Sequence, residues 1–174
     1  FEGFTCLAPG TRYQKDQSKL DRDAEGKLIR AWKKNTPPLS EGQEAALVKS
    51  GAMKADEAWF NLKDVQTKTP VRLHGGTVAW NAFRKKWGMI AVEQFGKASY
   101  LGEVWYTEAD HPEGPYRAAR RILTHDRYSF YNPAHHPFFD QEGGKIIYFE
   151  GTYTTKFSGN DHPTPRYEYN QVMY

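Results

Sequence analysis

Three glutamates in this 174-residue chain stand at the ends of hydrophobic phrases. Phe1-Glu2-Gly3-Phe4-Thr5 is echoed by Phe149-Glu150-Gly151-Thr152-Tyr153, and Trp87-Gly88-Met89-Ile90-Ala91-Val92-Glu93-Gln94 is a looser third copy. A carboxyl group can give or take a proton, and glycosidic bond cleavage uses a pair of them. Glu150 and Glu93 are therefore the acid–base candidates, with Asp126 as a possible partner. His74, Asn132, His136, Arg127, Tyr131 and Glu2 are the groups that would orient a sugar. Asp161, His162, Arg166 and Tyr167 add charge and a ring from loops. Rings stack on the sugar and charged groups bind its hydroxyls. A repeated glutamate has a structural reading too, since its oxygens can accept backbone N–H bonds from a neighbouring sheet.

Other chemistries are excluded or weak. His135 and His136 are adjacent, and neighbours on a strand point to opposite faces, so a metal centre built on both is not expected. Asp21-Arg22-Asp23-Ala24-Glu25-Gly26 begins like a calcium loop, but its twelfth position is Trp32 rather than a bidentate Glu. Gly75-Gly76 lacks the Lys-Ser/Thr of a phosphate loop, and no Gly-x-Ser-x-Gly elbow occurs. Cys6 is the single cysteine, so no intrachain disulfide can form, and its neighbours Phe4 and Leu7 predict a buried thiol. The sequence leaves the cofactor unknown. The net charge of +3 comes from basic residues scattered among acids, with no basic face for nucleic acid. No apolar run approaches the ~18 residues of a membrane span.

These groups need a scaffold, and the sequence reads as strands. Residues 1–7 form one strand and Lys27–Lys33 another. Ser40 caps a helix with Gln43 at the capping-box position, and Gly51 stops it. A second short helical turn is expected at Ala55–Phe60. Strands follow at Val71–Phe83, Trp87–Glu93, Ser99–Thr107, Tyr116–Thr124, Ala134–Asp140, Lys145–Thr155 and Arg166–Tyr174. Trp80-Asn81 can be laid over Phe139-Asp140, and Glu93 over Glu150. One unit is then four strands in about 55 to 60 residues, somewhat longer than the usual four-stranded propeller blade. The expected fold is all-β: a partial β-propeller of four-stranded antiparallel blades in a single domain, 1–174. It comprises an earlier blade (1–36), a small helical insertion (37–63), a blade (71–124) and an incomplete blade (129–174). A β-sandwich is the rival architecture.

Gly102-Glu103-Val104-Trp105-Tyr106-Thr107-Glu108-Ala109-Asp110, followed by Glu113-Gly114-Pro115-Tyr116, resembles the outer strands of a blade in five-bladed β-propeller glycosidases of the arabinanase, xylosidase and fructosidase type. Tyr131-Asn132-Pro133-Ala134-His135-His136-Pro137 is similar to the entry of an innermost strand. The resemblance covers roughly residues 71–174. It implies a sugar pocket at the channel mouth, lined by first-strand starts and second-strand ends. It also implies an Asp at an innermost strand start, where this chain has His74-Gly75-Gly76 and Asn132-Pro133. Glu113 lies in the turn on the far side and is not assigned.

The expectation is a carbohydrate-active, glycoside hydrolase-like propeller, an internal piece of an exported bacterial protein that is extracellular or periplasmic. The alternative is a non-catalytic propeller that binds a glycan or a protein. Carbohydrate is the expected partner, with no nucleic acid and no membrane span in this piece.

Overall fold

The computed structural model describes residues 1–96, 100–125, 127–156, 158–164 and 168–174, and the chain is mostly β with a single α-helix among them. It falls into two compact units, Phe1–Asn61 and Leu62–Tyr174. In the first, β1 (Glu2–Thr5) pairs antiparallel with β2 (Ala31–Lys34). The helix α1 spans Glu41–Lys49. Ser40 Oγ accepts from Gln43 N, and Gln43 Oε1 accepts from Ser40 N, which satisfies two otherwise orphaned donors. Gly51 follows at φ +79°, where a Cβ would be strained. Ala55–Phe60 makes turns rather than a second helix. Leu47 of α1 joins Cys6, Leu7, Leu39 and Met53 in a core. Glu44 is buried beside them, paired with Arg30 at 2.7 Å and accepting from Trp59 N at 2.6 Å. Burial also raises the Cys6 thiol pKa, which disfavours the reactive thiolate. Ser40→Ala is expected to destabilise this unit by about 1 kcal/mol, read as a lower denaturation midpoint with unchanged strand signal.

The second unit holds two sheets. In the larger, β4 (Leu73–Asn81), β5 (Lys86–Glu93), β6 (Val104–Ala109) and β7 (Ala118–Leu123) run as an antiparallel meander, and β3 (Lys63–Asp64) adds parallel to β7. In the smaller, β8 (Ser129–His135), β9 (Phe149–Thr154) and β10 (Asn170–Met173) form a second meander. β8 packs on β4 and β5. Ile90, Val104, Phe130 and Phe149 fill the space between the sheets. Trp105 and Ala119 face the other way and bury against Leu62 and Val71. The described strands make two stacked meanders and no closed ring.

Two local readings differ from the expectation. The Ala134–Asp140 strand is instead Ser129–His135 followed by a 3-10 turn at Pro137–Phe139. Pro137 has no N–H for the ladder and fixes φ for the turn, so His136 marks a strand end rather than a start. The strand expected over Lys145–Thr155 pairs continuously only from Phe149, with an isolated bridge at Gln141↔Ile146 before it. Between the sheets, His135 N donates to Thr77 Oγ1 at 2.8 Å.

Candidate functional site

Glu93 closes β5, and the structure surrounds it with groups that the sequence keeps apart. Val92 pairs with Val104, and Glu93 N donates to Glu103 O at 2.8 Å. Antiparallel neighbours in that register put their side chains on one face, so two glutamates stand side by side. Glu103 is only 4 % exposed. Its Oε1 accepts from Thr124 Oγ1 at 3.2 Å, and its Oε2 is buried with no hydrogen-bond partner. Glu93 is half-buried and accepts the Trp105 indole N–H at 2.7 Å. Burial raises the Glu93 pKa above the ordinary carboxylate range, and the charges of Glu103 and Asp64 push the same way. Trp105 and the Arg121 charge oppose the rise. The result is a carboxyl that holds its proton to higher pH than a free glutamate.

The rim of this group is aromatic and cationic. Gln94 N donates to Arg72 O at 2.8 Å, and the Arg72 guanidinium lies 5.6 Å from the centre of the Phe95 ring. Phe95 and Tyr100 meet edge to face at 5.0 Å and are both exposed. Gln94 Nε2 donates to Tyr100 OH at 2.8 Å. His74 is exposed at the bulge between Leu73, which pairs with Glu93, and Gly75. A proton donor, an imidazole and two open rings thus share one end of the larger sheet.

A second group forms on β8 and β9. His136 Nε2 lies 3.2 Å from Glu150 Oε1, without the angles of a hydrogen bond, and both side chains are partly exposed. The His136 ring contacts Phe138 at 5.3 Å, and Phe138 is 75 % exposed. His135 turns away, as alternation requires, and its Nε2 meets Asp140 Oδ1 at 2.8 Å in a buried pair. Tyr131 and Ser129 share the Glu150 face, and each carries a buried hydroxyl with no partner. The Tyr131 ring packs edge-on against Tyr169 at 5.7 Å.

The chain matches no known family model, no curated protein and no solved structure.

The structure thus gathers Glu150, His136 and Tyr131 on one hairpin and sets Glu93 with His74 elsewhere in the same unit. Asn132 sits in the β8 bulge at φ +53°, exposed. Arg127 is exposed, and its carbonyl accepts from Asn160 Nδ2 at 3.3 Å. Glu2 is exposed on β1 of the first unit, opposite Lys34. Asp126, Arg166 and Tyr167 lie outside the described residues. Among those described, no three His, Cys, Asp or Glu side chains are placed to hold a metal ion. Sequence reasoning missed Glu103, Trp105 and Phe138 as parts of these groups. The alternation Glu103-Val104-Trp105 puts both flanking side chains on one face, but only the β5–β6 register shows that Glu93 is on it too.

Proposed function

We propose that this chain is part of a carbohydrate-active, glycoside hydrolase-like β-propeller in which Glu93 is the proton donor. One observation carries the reading: a half-buried glutamate is set beside a second, buried glutamate at a sheet end rimmed by Phe95, Tyr100 and His74. A carboxyl that keeps its proton to higher pH than a free glutamate can protonate the leaving oxygen of a glycosidic bond. Burial does most to hold the proton on Glu93, and the neighbouring Glu103 carboxylate adds to it. Trp105 holds the carboxyl in place, and Asp126 is the proposed partner carboxylate. The stacking of two meanders, with β8 on β4 and β5, is what adjacent blades of a propeller would give. Assay of the protein on a glycan panel tests the reading, with Glu103→Gln as the diagnostic variant. Glutamine keeps the shape of the side chain and removes its charge. The pKa of Glu93 then falls, so the upper pH limit of turnover should move to lower pH while the plateau rate is kept. A profile that does not move would remove Glu103 from this role.

A second reading, glycan binding without cleavage, has its own support. The His136 imidazole lies 3.2 Å from the Glu150 carboxyl, with the exposed Phe138 ring beside it. Such a group would hold a sugar without a second carboxylate. Binding that survives loss of all turnover, and weakens on Glu150→Gln, would favour it. An extracellular or periplasmic location belongs to the same proposal.

A further inference from the structure

The second unit also contains a cleft of about 570 Å³, which includes neither Glu93 nor Glu150. It lies between the β6–β7 side of the larger sheet and the Gly144–Ile147 segment. Its volume is in the range of small-ligand sites. Three cations line it, Arg84, Arg120 and Lys145, against one carboxylate, Glu108. That carboxylate is already occupied. Arg84 Nε and Nη2 donate to its two oxygens at 2.7 and 3.0 Å, and Tyr106 OH donates to it at 2.8 Å. The Arg84 guanidinium lowers the Glu108 pKa, so the pair stays charged and mutually neutralised. Lys145 is paired with Glu142 at 2.9 Å, with both side chains more than half exposed. Such a pair holds its lysine weakly. Arg120 stands opposite Tyr106 in the β6–β7 register and is exposed. Among the described residues it has no hydrogen-bond or ion-pair partner. The cleft therefore presents one unspent guanidinium and one loosely held ammonium over the rings of Tyr106 and Phe83.

From this arrangement we infer that the cleft binds the carboxylate of a uronic acid unit in a glycan. Arg120 takes the carboxylate in a two-pronged contact, Lys145 adds charge, and the C–H face of the pyranose lies on the aromatic and aliphatic lining. A neutral sugar would offer Arg120 no charged partner. The sugar part of the inference rests on the carbohydrate reading above, whereas the demand for an anion rests on the cleft alone.

The test is titration calorimetry with a short oligogalacturonate and a neutral galacto-oligosaccharide of the same length. Wild type, Arg120→Gln and Glu93→Gln are compared at two salt concentrations. Arg120 is exposed and has no hydrogen-bond or ion-pair partner among the described residues, so its variant should keep the wild-type melting midpoint. The acidic oligomer should bind more tightly than the neutral one, and more weakly at higher salt. Arg120→Gln should weaken it by about tenfold to a hundredfold, the worth of a charge-assisted hydrogen bond. Glu93→Gln should leave this binding unchanged even where it abolishes turnover. Equal affinity for the two oligomers, or an Arg120→Gln variant that binds as wild type does, overturns the inference. Unchanged turnover in Glu93→Gln with intact acidic binding would instead sink only the catalytic reading.

Discussion

Glu93→Gln is expected to lower turnover of a cleaved glycan by about 10²- to 10⁴-fold, the usual contribution of a positioned proton donor. Glutamine fits the same space, and its Oε1 can still accept the Trp105 indole N–H that Glu93 accepts at 2.7 Å. The loss should therefore fall on turnover with little change in substrate affinity. A stability measurement separates this from damage to the fold. The Glu93 pKa is raised in the folded state, chiefly by burial. Such a carboxyl contributes stability below its unfolded pKa of about 4.3, and that stability is lost as pH rises through the folded value. At neutral pH the charged Glu93 is thus a burden to the fold. Glu93→Gln should unfold at a denaturant concentration equal to or above that of wild type at pH 7, with the difference vanishing in acid. A variant that is both inactive and destabilised at neutral pH would make Glu93 a structural residue.

The largest loss of stability is expected at Phe130. Its side chain is fully buried at the centre of the core between the two sheets. It meets Phe149 edge-on at 6.5 Å, stacks on His125 at 4.8 Å and touches Tyr174 at 5.7 Å. Gly151 is the recess that admits the ring, since a Cβ there would lie 2.4 Å from two of its carbons. Phe130→Ala removes the ring and leaves a cavity that both sheets border. About 3–5 kcal/mol should be lost, a large part of the 5–15 kcal/mol that holds a typical domain together. Gly151→Ala approaches the same contact from the other side and should cost at least about 1–3 kcal/mol by overpacking. Urea denaturation followed by tryptophan fluorescence reads both. If Phe130→Ala unfolds within error of wild type, the two sheets are not held by this contact.

Much of the local structure was written in short stretches of sequence. The Ser40 cap, its Gln43 partner and the Gly51 stop lie within a dozen residues and act through their own backbone, so they form wherever that segment is helical. The four-strand meander from Leu73 to Leu123 follows from alternating apolar and polar residues punctuated by turn residues. The burial of Cys6 follows from its apolar neighbours. The mostly β character of the chain is the sum of such signals. The surroundings of Glu93 and Glu150 were not legible in the same way. Their phrases are similar, but Glu93 closes β5 beside Glu103, whereas Glu150 stands near the start of β9 beside His136.

What the sequence determined by itself was which segments extend, where they turn and which carboxyls, imidazoles and rings they carry. Tertiary structure decided which of those groups meet. Glu103 became the neighbour of Glu93 through a β5–β6 register fixed by side chains on several strands, and a one-residue slip would have turned it to the opposite face. Register gave Glu108 to Arg84 and set Arg120 opposite Tyr106, with no hydrogen-bond or ion-pair partner among the described residues. Contacts between residues distant along the chain depend on how whole faces pack, and no local pattern encodes that sum.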